Sequence, residues 1–318
     1  MRILITGGLG YIGGRVANYL IENETDVEIV LGTSRKAAFM PEWSNACEVV
    51  RFALDDPETI STALQGVDSV IHLASPNITD AVNTPEQAWK IKTLGTYELL
   101  KQCKEKRVRR FINFSTFHVY GPQTSVPITE NSPTRAAHPY AATHRAAEDI
   151  VQYFRTYHQM QTVTFRLSNG FGRPMDSAIS RWSLLFNDLC RQATQNGKLV
   201  LKSSGRQQRD FVALSDVARA VHHFLFNIPD NWGDGLYNLG GECSLSVLEA
   251  AKRVARIYES KFGTTLGDIK TKPSSNSEDE PPVEFSIDKL KSMQFSLTGN
   301  MDEEIENTLK LCKDSIFK

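Results

Sequence analysis

The stretch YAATHRAAE, residues 140–148, places a tyrosine and a histidine four apart in a pattern that reads as helix. Residues at i and i+4 share a helical face, so Tyr140 and His144 address one site. A phenol in such a site suits proton donation and acceptance at an oxygen. A permanent positive charge beside it would be the expected helper. Position 144 instead offers an imidazole, which protonates only below roughly pH 6.5 when unperturbed.

A second pattern suits phosphate. TGGLGYIGGRVANYL carries Gly7, Gly10 and Gly13 as GxxGxxG, between an apolar run that reads as strand and an amphipathic run that reads as helix. Glycines permit a tight turn and close backbone approach, and a helix amino terminus offers free N–H groups to a pyrophosphate. A glycine-rich turn without a ligand is the other reading of the same residues. The next strand ends VLGTSRK, where an NAD enzyme usually has an acidic residue for the adenosine ribose. Gly32 stands there, followed by Ser34, Arg35 and Lys36, so NADP is favoured as cofactor, NAD being the alternative. A solvated basic turn accounts for the same three residues without a ligand.

Elements able to position these residues follow from periodicity. RILIT (2–6), DVEIVLG (26–32), SVIHLA (69–74), RFINFS (110–115) and TVTFRLS (162–168) read as strands, alternating with helical stretches at 11–23, 57–65, 85–106 and 139–158. Apolar strands separated by helices predict a doubly wound parallel sheet of Rossmann type, with helices on both faces. Regularity weakens after about residue 170. The expected division is a cofactor-binding domain over 1–168, with a return segment at 209–240. A smaller mixed α/β substrate lobe takes 169–208 and 241–318. TKPSSNSEDEPP (271–282) reads as an exposed polar loop.

Composition sets outer limits. The 318 residues are 41% hydrophobic and 23% charged, with formal net charge −1, and carry no basic excess for nucleic acid. No run approaches the roughly 18 apolar residues of a membrane span. The five cysteines are scattered, without CxxC or metal-ligand spacing, as buried thiols in a reducing cytosol would be. A strand beginning at residue 2 leaves no room for a signal peptide. A soluble cytoplasmic enzyme with no metal is expected.

Several ordered motifs together resemble the extended short-chain dehydrogenase/reductase family, which contains nucleotide-sugar epimerases, dehydratases and ketoreductases. TGGLGYIG is similar to its cofactor signature, GVDSVIHLAS (66–75) to a cofactor-lining segment, STFHVYG (115–121) to the segment with the catalytic Ser/Thr, and YAATH to Tyr-x-x-x-Lys. RLSNGFGRP (166–174), RQQRDFVALSDVARA (206–220) and YNLGG (237–241) extend the likeness over roughly residues 1–250. The resemblance implies Tyr140 as proton donor and Thr116 as holder of the same oxygen, with hydride from nicotinamide. It implies cofactor contacts at Gly7, Gly10, Tyr11, Ile12, Gly13, Ser34, Arg35, Leu54, Leu73, Ala74, Tyr140 and His144. Substrate contacts are implied at Thr116, His118, Asn169 and Arg209.

Three departures stand out. His144 takes the family's lysine position, Lys92 takes an asparagine position in KTLGT, and Ala53 replaces an aspartate near the adenine. We expect Lys92 to restore the missing charge from a neighbouring helix while His144 keeps the ribose contact, both counting with Thr116 and Tyr140 as catalytic. The dehydratases' Asp-Glu pair after the catalytic Thr is Phe117-His118 here, which argues against dehydration. His118 reads equally as a pocket residue or a packed polar one. Arg209 reads as a phosphate ligand or as the ion-pair partner of Asp210 or Asp216, and Asp216 itself as a helix-start residue. NADP(H)-dependent reduction of a keto group on a nucleotide-linked sugar is the favoured activity. A nucleotide-sugar epimerase with tightly bound NAD is the alternative, and a catalytically weak dinucleotide-binding protein a second one. Helices 85–106 and 139–158 match those pairing in the family's homodimers, although either apolar stripe also suits its own sheet.

Overall fold

A computed structural model describes residues 1–34, 40–122, 126–179, 181–273 and 281–315. In chain order the first half runs β1 (Arg2–Thr6), α1 (Tyr11–Asn23), β2 (Glu28–Thr33), β3 (Glu48–Arg51), α2 (Pro57–Ala63), β4 (Ser69–His72), α3 (Ile78–Asn83) and α4 (Pro85–Ala88). A π-helical turn, Trp89–Leu94, then leads into α5 (Gly95–Glu105), β5 (Arg110–Thr116), α6 (Pro139–His158) and β6 (Gln161–Leu167). The second half holds β7 (Asn169–Phe171), α7 (Leu185–Asn196), β8 (Gln208–Ala213), α8 (Leu214–His222), β9 (Leu236–Leu239), β10 (Ser244–Ser246), α9 (Val247–Phe262), α10 (Asp288–Ser292) and α11 (Met301–Asp314).

Seven strands form one parallel sheet in the order β3-β2-β1-β4-β5-β6-β9. The expected doubly wound Rossmann-type sheet is therefore present. Alternation along each strand sends neighbours to opposite faces. Ile3 and Ile5 face the layer of α1 and α8, together with Ile29, Leu31, Ile71 and Ile112. Leu4, Val30, Val70 and Phe111 face Leu99 and Leu100 of α5 and Val151 and Phe154 of α6. Both faces are covered, which is why these strands read as continuous apolar runs.

The smaller lobe packs α7, α9 and α11 around Phe186, Leu189, Val254, Ile305 and Leu309. Its sheet is β10-β8-β7. Residues 208–213 thus pair in the small sheet, whereas 236–239 extend the large one. Edge strand β3 is only four residues and half-covered, and its alternation is correspondingly weak. The long helix read over 85–106 is interrupted by the π-turn, whose wider register carries Lys92.

Candidate active site

Three elements meet at the carboxyl ends of the central strands. β1 turns into α1 through Gly7, whose φ is +70°, and an added Cβ there would come within 3.2 Å of the Ala74 nitrogen. A Cβ on Gly13 would lie 2.4 Å from the Gly7 carbonyl oxygen, so only glycine lets the turn close. Among the described residues no side chain caps α1 and no acid stands in its first turn. By contrast α2, α3 and α11 are capped by Asp56, Asn77 and Asn300. The uncovered N–H groups and dipole end at Tyr11, Ile12 and Gly13 suit a pyrophosphate. Tyr11 is buried and its hydroxyl donates to the Gly172 carbonyl at 2.7 Å, so its side chain ties the turn to the second lobe.

The walls of the cleft come from β2, β4 and the segment after β3. Ser34 is exposed directly beyond β2, while Arg35 and Lys36 lie outside the described residues. Leu54 is buried against Gly95 at the head of α5. The amides of Leu73 and Ala74 both donate to Thr6 Oγ1 at 3.2 Å, holding the strand ends together at the turn.

Thr116 ends β5 and is buried; its hydroxyl accepts from the His118 amide at 3.3 Å, starting a short 3₁₀ turn. Tyr140 is the second residue of α6, after Pro139, and His138 caps the helix by accepting from the Ala141 amide. These two starts bring the Tyr140 and Thr116 hydroxyls close enough for the threonine to act on the phenol. The Tyr140 ring is partly accessible, but its hydroxyl lies deep, and burial raises its pKa above the ordinary 10. The positive charge of Arg181 and the Thr116 hydrogen bond oppose that rise. Histidines surround the ring: His118 and His138 have centroids 6.1 Å from it and His144 4.5 Å. Burial, with the charges of His138 and Arg209, pushes His118 down to about 4, so it is neutral near pH 7.

His144 is buried, with Nε2 3.0 Å from Ser75 Oγ. Lys92 is wholly buried, and its Nζ donates to Asn113 Oδ1 and the Phe114 carbonyl, each at 3.4 Å. Burial pushes the Lys92 ammonium down to about 7, against the opposing pull of Glu148. Burial and the Lys92 charge hold both His72 and His144 neutral.

The remaining expected residues are placed around this centre. Asn169 opens β7 and its amide donates to the Asp210 carbonyl at 2.9 Å. Arg209 is exposed on β8, with its charge reaching His118. Asp210 accepts from the Gly241 and Cys243 amides. Asp216 stands in the first turn of α8, pairs with Arg219 at 2.5 Å and accepts from the Thr298 and Gly299 amides. Three site residues are not singled out by the sequence patterns: Ser75, His138 and Arg181. Ser75 closes the GVDSVIHLAS segment and His138 is the capping position before Pro139, so both had local signals; Arg181 had none.

Residues 3–240 match the family model described as NAD dependent epimerase/dehydratase family. The chain is similar to the UDP-glucose 4-epimerase of Halalkalibacterium halodurans, 28% identical over 266 residues, covering 78% of each chain. It is likewise 28% identical over 278 residues to the dTDP-glucose 4,6-dehydratase of Haemophilus influenzae, covering 81% of this chain and 80% of that one. The crystal structure of Thermus thermophilus UDP-glucose 4-epimerase in complex with NAD shares the fold, with TM-score 0.81 at 22% identity, covering 99% of this chain and 100% of that one.

Proposed function

Because the chain belongs to the NAD dependent epimerase/dehydratase family, of the extended short-chain dehydrogenase/reductase type, we propose that it is a nucleotide-sugar epimerase that keeps its dinucleotide between turnovers. The observation that carries the reading is the Thr116–Tyr140 hydroxyl pair, set at the end of β5 beside the uncapped start of α1. A dinucleotide bound at that start supplies the hydride chemistry at its nicotinamide. Tyr140 takes the proton from a sugar hydroxyl as the carbon is oxidised, and gives it back when the hydride returns to the opposite face. Thr116 holds the same oxygen through both half-reactions. Gly7, Gly10 and Gly13 line the pyrophosphate site and His144 meets the nicotinamide ribose. Arg209 and His118 face the substrate, the guanidinium suiting its diphosphate.

Retention of the cofactor is supported by the way residues 172–176 are fastened over α1. The Tyr11 hydroxyl donates to the Gly172 carbonyl, Arg15 to the Arg173 carbonyl at 2.9 Å, and the Trp43 indole to Asp176 at 3.0 Å. The Met175 side chain covers Gly14. Release requires those ties to open. Phe117 and His118 provide no carboxylic acid beside Thr116, which disfavours elimination of water.

NADP(H)-dependent reduction of a keto sugar is a second reading, favoured by Gly32. A side chain there would meet Phe52 Cβ at 3.0 Å, so β2 ends without the carboxylate that would repel a 2′-phosphate. The nicotinamide content of the purified protein separates the two. Stoichiometric NAD that survives purification is expected; cofactor-free protein that binds NADPH exchangeably selects the reductase. Tyr140→Phe is expected to lower kcat by a factor on the order of 10² to 10⁴ while cofactor content is unchanged.

A homodimer is part of the same proposal. Leu94, Tyr97, Tyr153 and Tyr157 stand exposed around α5 and α6, a larger apolar surface than isolated residues would present.

A further inference from the structure

A buried ammonium is a poor choice for stability. Removing a lysine from water costs free energy, and a neutral side chain of similar length fits the same space without that cost. Lys92 is nevertheless fully buried, on a π-helical turn, a distortion that recurs at functional sites. Its surroundings indicate what the charge does. Ser75 Oγ contacts both the Pro76 carbonyl at 2.9 Å and His144 Nε2 at 3.0 Å. The serine has one proton, and the carbonyl can only accept it. With the serine proton on the Pro76 carbonyl, His144 Nε2 carries the ring proton and donates to Ser75. That leaves Nδ1 as a bare lone pair. It is buried near the Phe114 carbonyl, whose oxygen favours a ring proton, and it has no hydrogen-bond partner among the described residues.

The Phe114 oxygen and Asn113 Oδ1 both accept from the Lys92 ammonium, whose charge also reaches His144. Of the other groups facing this point, His72 is neutral and Glu148 is the anion that favours the ammonium. The field of His118 also reaches His144 and adds to the lowering. We propose that Lys92 is a positioning residue that holds His144 in its neutral Nε2–H form, turned outward as a hydrogen-bond donor toward Ser75 and the ribose of the cofactor. An imidazole so fixed donates at the position where a lysine would donate. Without the ammonium, the proton moves to Nδ1, the imidazole adjusting so that the Phe114 carbonyl accepts it, and Nε2 becomes an acceptor. The proposal rests on the dehydrogenase reading for its cofactor, and on the geometry of Ser75, His144 and Lys92 for its tautomer.

The sign of the stability effect follows from the lowered Lys92 pKa. Between about 7 and the ordinary 10.5 the unfolded chain holds a proton that the folded chain has released, so stability rises with pH through that window. Below pH 7 the fold carries the whole penalty. Lys92→Met removes it, so this variant is expected to melt higher than the parent at pH 6, with the gap shrinking by pH 9. The tautomer is read by nitrogen and carbon shifts of the imidazole, the His144 signal being assigned by its loss in His144→Gln. At pH 6, where Lys92 is charged, the parent is expected to show Nε2–H and Lys92→Met to show Nδ1–H, with weaker affinity for NADH. Lys92→Gln provides a second neutral side chain. An unchanged His144 tautomer in both variants overturns the proposal. So does a Lys92→Met protein that melts lower at pH 6, because the lysine would then be structural. A parent protein that binds no dinucleotide overturns the functional reading instead, and the tautomer measurement still decides between the two states of His144.

Discussion

Tyr140 is held between burial, which keeps its proton on, and the Arg181 charge, which draws it off. The base role proposed for Tyr140 needs a phenolate, and a cation that draws its proton off lowers the pH at which that role begins. Arg181→Leu is expected to shift the rising limb of the pH–rate profile to higher pH, as measured by kcat from pH 6 to 10. The charge expected on this tyrosine from Lys92 is directed elsewhere. Lys92 faces His72, His144 and Glu148, whereas the cation whose field reaches the Tyr140 hydroxyl is Arg181, from a segment far along the chain. On the proposed reading, two residues divide the work that a single lysine at 144 would do alone.

At the level of elements, the site depends on how α11 reaches back to α1. Glu304 is buried and pairs with both terminal nitrogens of Arg15, at 2.8 and 2.6 Å. It also accepts from the Arg173 and Ser215 amides, each at 3.2 Å. One carboxylate therefore fastens the cofactor helix, the strap after β7 and the start of α8. Removing it leaves a guanidinium and two amides without that acceptor, so Glu304→Ala is expected to cost about 3 kcal/mol in urea unfolding. A concurrent rise in NADH dissociation rate would trace the loss to the strap. α9 needs no such tie, since Ser246 and Glu249 form a capping box within their own turn.

For the whole molecule, the parallel sheet collects its strand ends at one edge, so that residues 7, 74, 75, 116, 140 and 144 converge from the turns after β1 and β4, the end of β5 and the start of α6. The exposed stripe on α5 and α6 lies on an outer layer of this sheet, where its inner residues Leu99, Leu100, Val151 and Phe154 are already buried. Each helix thus has one apolar side used internally and aromatic residues left over. Replacing Leu94 and Tyr153 together by glutamate is expected to leave a monomer of 35.6 kDa in light scattering, against twice that mass for the dimer proposed for the parent. Retention of the doubled mass would exclude this face.

Much of this architecture is legible in the chain itself. Local signals suffice for β1, β2, β4, β5 and β6, for α1 and α6, and for the glycine turn, because apolar runs, glycine spacing and Pro139 act within a few residues of themselves. Short β7, β8 and β10 carry too few residues to show a period, and their sheet exists only through distant partners. The pairing of Thr116 with Tyr140 is legible because the STFHVYG and YAATH motifs bear it. The direction of each charge is not. Whether Lys92 or Arg181 acts on the tyrosine depends on which side chains share a buried space, and burial is a property of packed elements. The same holds for the proton proposed on His144, since Ser75, Phe114 and Lys92 come to it from three different elements. Residue types and spacing determined the reaction chemistry available; tertiary packing decided which atoms carry the charge and the protons, because electrostatic energies change severalfold between water and a closed core.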